Sequence, residues 1–245
     1  MVTDIQNLRA GESRERTARV TRTLLACGAV AGLLLPALAL IQAVTREGFD
    51  LRRHYLSQLS TGDLGWIQMA NFVVTGLLYI AFAVGVWRVL HPGRAGTWGP
   101  LLIGAYGICL LIAGVFVTDP ANGFPRGTPD GVPSQISWHS VVHGIAAVVS
   151  FLFLIAACFV FARRFAALRQ RGWMAYSIAS GLVCFVLPWA PSAWPGVTLF
   201  AGGVVGWAWV VAIAVRLMQE RRLIPDPSQR DESTEGQRRR ADQRA

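Results

Sequence analysis

Residues 138–161 read WHSVVHGIAAVVSFLFLIAACFVF, 24 positions without one Asp, Glu, Lys or Arg. A helix of that length is about 36 Å long, and the hydrocarbon core of a bilayer is about 30 Å thick. Inside that core the backbone must satisfy its own hydrogen bonds, so the run is read as a membrane-spanning helix. Trp138 stands at its start, where an amphipathic indole favours the headgroup zone.

Five further runs meet the same criterion on either side. The six expected spans are Thr23–Val44, Trp66–Trp87, Trp98–Val117, Trp138–Phe161, Trp173–Ala190 and Val197–Leu217. Seven of the nine tryptophans (66, 87, 98, 138, 173, 189 and 194) lie at or near run ends, as an aromatic belt requires. Trp207 and Trp209 fall inside the last run and are expected to pack between helices. Pro36 predicts a kink in the first span. The first run is too long for a cleaved signal peptide and is read as a signal anchor. The predicted fold is all-α, a bundle of six transmembrane helices formed by residues 23–217. A basic leader (1–22) precedes it and a disordered basic tail (218–245) follows, with roughly the first 15 residues also expected to be unstructured.

Composition agrees. Hydrophobic residues make up 53% of the chain and charged residues 15%, against about 25% charged in ordinary soluble domains. The net charge is +9, and every basic residue is Arg. Because those arginines flank apolar runs, the expected partners are membrane lipids, with anionic headgroups against the Arg clusters, and not nucleic acid. Their distribution sets the orientation. The leader, the 88–97 and 162–172 loops and the stretch from Arg216 to the C-terminus hold 19 arginines, and the alternate connections hold four. Both termini are therefore expected on the cytoplasmic side. Gly28 with Gly32, and Gly202 with Gly206, predict close helix packing within the bundle rather than a dimer interface. The four cysteines lie inside apolar runs and read as core residues.

Sorted by side, the loops separate reactive groups from Arg. In the first outer loop Leu51, Tyr55 and Leu59 follow Asp50 at four-residue spacing, which predicts a short surface helix with Ser57 and Ser60 on its solvated side and His54 on the flank. The third span ends at Thr118-Asp119-Pro120. The fourth opens with His139 and His143, one turn apart on one helix face. Two such imidazoles can ligate one metal ion, zinc being one candidate, with Asp119 the natural candidate for the third ligand; the residues fix no cofactor. A metal or acid–base site, a structural polar cluster and a path for solute or protons are all open at this point. Ser57 is a candidate nucleophile or substrate-orienting group if a base reaches it. No P-loop, dinucleotide fingerprint, nucleophile elbow or HExxH motif occurs.

The run from His54 through Gln68 into Met69-Ala70-Asn71-Phe72, with Gly114–Pro120 and the His139–His143 pair, resembles the bacterial membrane family catalogued as domain of unknown function 998. The resemblance runs from about the first span to the sixth. It implies a six-helix, multi-pass protein of the bacterial inner membrane, with no settled activity and with the family's Ser, Asp and His positions on Ser57, Asp119, His139 and His143. That set looks, more distantly, like the metal-dependent membrane hydrolases of the CREST group, which includes alkaline ceramidases. It implies zinc-dependent hydrolysis of a lipid amide or ester, with a non-enzymatic scaffold or small-solute carrier as the alternative. Those hydrolases have seven spans and a third histidine ligand; here there are six spans, His91 lies in an inner loop, and His54 is the one outer-side histidine left to take that place, at a different spacing.

Overall fold

The computed structural model describes residues 2–222, with side chains from Gly11 to Glu220. The tail expected to be disordered lies almost wholly outside the described residues. The helices are α1 (Val2–Thr45), α2 (Gly65–Leu90), α3 (Trp98–Val115), α4 (Trp138–Ala167), α5 (Arg171–Val186) and α6 (Pro195–Arg222), with 3-10 segments at Leu56–Ser60 and Leu187–Trp189. There is no strand among the described residues. All six helices are long and apolar enough to cross a membrane. The chain is a multi-pass membrane protein.

Each expected span lies within one helix or that helix and the turn that ends it. The leader differs from expectation, because α1 is helical from Val2 and does not wait for the apolar run. Extending an existing helix fixes one residue per hydrogen bond gained, whereas nucleation is the costly step, so a span anchored in the bundle carries its polar prefix along. Residues 11–20 are all exposed and run beyond the bundle.

The helices form a ring. Each packs on its chain neighbours, and α6 returns to α1. Small residues set the tightest joints. A Cβ on Gly76 or on Gly107 would lie 2.7 Å from the other's carbonyl oxygen, so the α2 and α3 backbones meet there. Gly28 receives the Phe82 ring and Gly32 the Trp207 carbonyl, while Gly202 and Gly206 pack on Pro188 and Leu154, all within the bundle. Trp207 and Trp209 are buried between helices as expected, donating through Nε1 to Tyr106 Oη (2.8 Å) and Ser177 Oγ (3.0 Å). At the end where α4 and α6 finish, Arg164 and Arg216 pair with Glu220, each at 3.2 Å.

The other end is capped by the α1–α2 and α3–α4 connections. Here the expected surface helix does not form. One turn after Asp50 closes on Arg53 and His54 N–H, and the chain then enters the 3-10 segment with Gln58, Leu59 and Ser60 buried. Side chains outcompete a regular helix at this point. Asp50 N–H donates to His54 Nδ1 (2.9 Å), so the opposite nitrogen carries the proton and donates to Asn122 O (2.9 Å). His54 sits between the Phe49 and Phe124 rings and is buried rather than solvated. Gln58 Nε2 donates to Ala121 O (2.9 Å), joining the two connections. Arg46 donates to Leu59 O (2.6 Å) and Thr61 O (2.7 Å), with its guanidinium over Phe124.

Candidate functional site

Below the cap, the capped half of the ring encloses a cavity of about 110 Å³. Tyr55, Leu56 and Ser57 from the cap form part of its wall, and α1, α2, α3, α4 and α6 supply the remainder. Most of that wall is apolar. Among the described residues no Asp, Glu, Lys or Arg lines it; the polar groups are Tyr55, Ser57, Gln68, Tyr106, His143 and Ser150. Tyr106 and Trp207 lie nine and twelve residues from the capped ends of α3 and α6, or roughly 13–18 Å down the helices at about 1.5 Å per residue.

Of the four residues singled out from sequence, Ser57 and His143 share this cavity. His143 is buried, its Nδ1 within reach of Phe116 O (2.8 Å) and Ala113 O (3.1 Å). Carbonyls only accept, so Nδ1 carries the proton and Nε2 presents a lone pair. Those carbonyls are free because α3 ends at Val115, and the imidazole in effect caps the helix. Ser57 is half-buried on the 3-10 segment, its own carbonyl accepting from Ser60 Oγ (2.5 Å).

Asp119 and His139 belong to a separate cluster at the start of α4. Asp119 accepts from Ser137 N–H (2.7 Å) and Ser137 Oγ (2.6 Å). Ser137 Oγ in turn caps α4 by accepting from Ser140 N–H (3.2 Å). Its single proton is given to Asp119, so His139 Nδ1, 2.9 Å away, is the donor in that pair. His139 itself is exposed. The pattern Asp119–Ser137–Ser140 is a helix cap reinforced from the neighbouring span.

The expected zinc ligands, His139, His143 and Asp119, are therefore divided. One imidazole is drawn inward by the end of α3, and both carboxylate oxygens are committed to Ser137. Among the described residues no three His, Cys, Asp or Glu side chains converge as a metal would need. The donor set does not fit a zinc centre.

Partial burial works against ionisation of Asp119, but the Ser137 hydroxyl and N–H, with Ser140, outweigh it and hold the carboxyl below its ordinary value. Near neutral pH the folded and unfolded chains both carry the carboxylate, and its contribution is complete. As pH falls through the unfolded value of about 4, the unfolded chain takes up the proton first and the contribution is lost. Asp119→Asn should thus lower stability at pH 7 by about 1 kcal/mol. The gap between variant and parent in thermal unfolding should close below about pH 4. A gap constant across that range would show that the carboxylate does not hold the cap.

Sequence reading passed over the stripe Gln68, Asn71 and Thr75 on α2 as a group. Gln68 Oε1 accepts from Gln42 Nε2 (2.8 Å) and Asn71 Nδ2 (3.2 Å), and Asn71 Nδ2 also reaches Leu35 O (3.1 Å). Polar residues three and four apart inside an apolar run were the available signal. Tyr106 had none, since its partner Trp207 is 101 residues away.

A family model described as Protein of unknown function (DUF998) matches residues 29–216, which covers most or all of each span and both clusters. No curated protein and no solved structure matches the chain. With over three-quarters of its length matched, from within the first span to the last turns of the sixth, the chain belongs to the DUF998 family of proteins of unknown function.

Proposed function

We propose that this protein binds a lipid-type, amphipathic molecule in the capped half of its bundle, and that this half faces the outer leaflet of a cell membrane. The observation that carries the reading is the cavity itself: apolar walls with a few polar groups, Ser57, Gln68 and His143 among them, beneath a hydrogen-bonded cap. Such a composition suits a ligand with one polar end, the rest being satisfied by burial. Passage through the bundle is the weaker reading, because Phe82, Phe161 and Trp209 fill the interior farther along the helices.

Replacing Ala147 by Trp would fill the cavity from α4. Lipid extracted from purified parent protein and analysed by mass spectrometry should contain a species in near-stoichiometric amount. It should fall at least tenfold in Ala147→Trp, with little change in melting temperature. Identical lipid content in the two proteins would end the proposal.

Hydrolysis of the bound molecule is the second reading, favoured by the unprotonated His143 Nε2 in the same cavity as Ser57. The Ser57 hydroxyl would attack an ester or amide carbon and pass its proton through His143 to the leaving oxygen or nitrogen, and water would then release the acyl group. No step needs a metal. On this reading Ser57→Ala retains the intact ester or amide, and the parent carries its product; the same species in both leaves binding alone.

A further inference from the structure

The pattern of donors and acceptors in the cavity specifies the ligand's polar end. This rests on the cavity being the binding site. Gln68 is wholly buried in its wall, and two donors, Gln42 Nε2 and Asn71 Nδ2, fix which end of the amide is which. Turning the Gln68 amide over would set its nitrogen against both of those donors. The Nε2 group is thereby held with its protons unmatched, and no protein atom among the described residues accepts from it. A buried amide left without an acceptor is costly, so this nitrogen calls for an acceptor from the ligand or from water. His143 supplies the opposite demand. Its Nδ1–H is spent on Phe116 O and Ala113 O, and Nε2 can only accept. Tyr106 Oη accepts from Trp207 Nε1 (2.8 Å) and keeps its own proton to give.

We infer that the ligand's polar end is uncharged and both accepts and donates a hydrogen bond, as an alcohol or a primary amide does. A carboxylate would meet the His143 lone pair with nothing to donate, and an ammonium would meet Gln68 Nε2 with nothing to accept. Neither would find a counter-charge, because no ionised side chain lines the wall. Size sets the second limit. An apolar cavity of about 150 Å³ takes a benzene molecule, so about 110 Å³ holds a polar group and only a few carbons. A longer chain must leave the cavity toward lipid.

The test uses four probes with the same short chain: 1-pentanol, pentanamide, pentanoate and pentylammonium. Each is titrated calorimetrically at pH 7 into the full-length protein in nanodiscs, and the heat seen with Ala147→Trp nanodiscs is subtracted to remove partition into lipid. The two neutral probes should bind at least tenfold more tightly than the two ions, and Gln68→Leu should weaken the alcohol about tenfold. If Gln68→Leu does not fold, the selectivity of the parent protein still decides the matter. Equal or tighter binding of either ion, abolished by Ala147→Trp, overturns this inference and leaves the cavity as a binding site. Binding of none of the four, with no lipid retained by the parent protein, overturns both.

Discussion

Arg46→Ala is expected to release the cap while the six helices stay folded. Arg46 follows α1 directly, and its guanidinium donates to two carbonyls of the α1–α2 connection, Leu59 O and Thr61 O, while lying 4.9 Å from the centre of the Phe124 ring. Hydrogen bonds from a charged donor contribute roughly 1.5–3 kcal/mol each, and a cation over an aromatic face adds about 0.5–1 kcal/mol. Arg46 is half-buried and water can replace part of this, so a net loss of about 3 kcal/mol is expected, over a hundredfold in the opening equilibrium. The effect should be local. Amide hydrogen exchange at 58–61 should rise by about two orders of magnitude, and exchange within the buried turns of α2 and α3 should be unchanged. Arg46→Lys should recover little, because one ammonium cannot span two carbonyls as the planar fork does. Unchanged exchange at 58–61 would mean that the apolar contacts of Leu59 hold the cap without the guanidinium.

The spans were legible because they rest on a strong, additive signal: one unbroken apolar run, such as 138–161, cannot be placed in water and can hardly be anything but a helix in lipid. Packing of Gly28, Gly32, Gly202 and Gly206 was legible for a related reason, since only small residues let helices approach that closely. The candidate site was half legible. His143 was singled out for its depth below the helix start, and it is buried there. Its grouping with His139 followed from their spacing on one helix face, and that with Asp119 from the loop that joins the third span to the fourth. What separates them is the end of α3, whose carbonyls claim one imidazole, and the capping role of Ser137, which claims the carboxylate. The cap was misread because its four-residue apolar spacing suited a surface helix, whereas Arg46, His54 and Gln58 each bond across the fold to a backbone group that no local pattern reveals. Gln68 matters for its partners on another helix and for the atom those partners leave over.

The orientation proposed for the cavity rests on charge, and it carries the second large prediction. The capped end holds four arginines against five carboxylates (Glu47, Asp50, Asp63, Asp119 and Asp130), so it has no excess of positive charge. Three of those arginines are paired, Arg52 with Asp50, Arg53 with Asp130 and Arg126 with Glu47, and Arg46 is bound to backbone carbonyls. Nineteen arginines belong to the opposite end and its tails. With that cluster held on the cytoplasmic side, the cap and the mouth of the cavity beneath it are expected outside.

Cysteine labelling in intact cells measures this directly. Ser134 lies exposed in the α3–α4 connection at the capped end, and Arg94 lies exposed in the α2–α3 connection at the other. Three of the native cysteines are buried, and the unsubstituted protein gives the baseline. A membrane-impermeant maleimide should label Ser134→Cys in intact cells and reach Arg94→Cys only once the membrane is permeabilised. Labelling of Arg94→Cys from outside, with Ser134→Cys protected until permeabilisation, would put the cap in the cytoplasm and contradict the account.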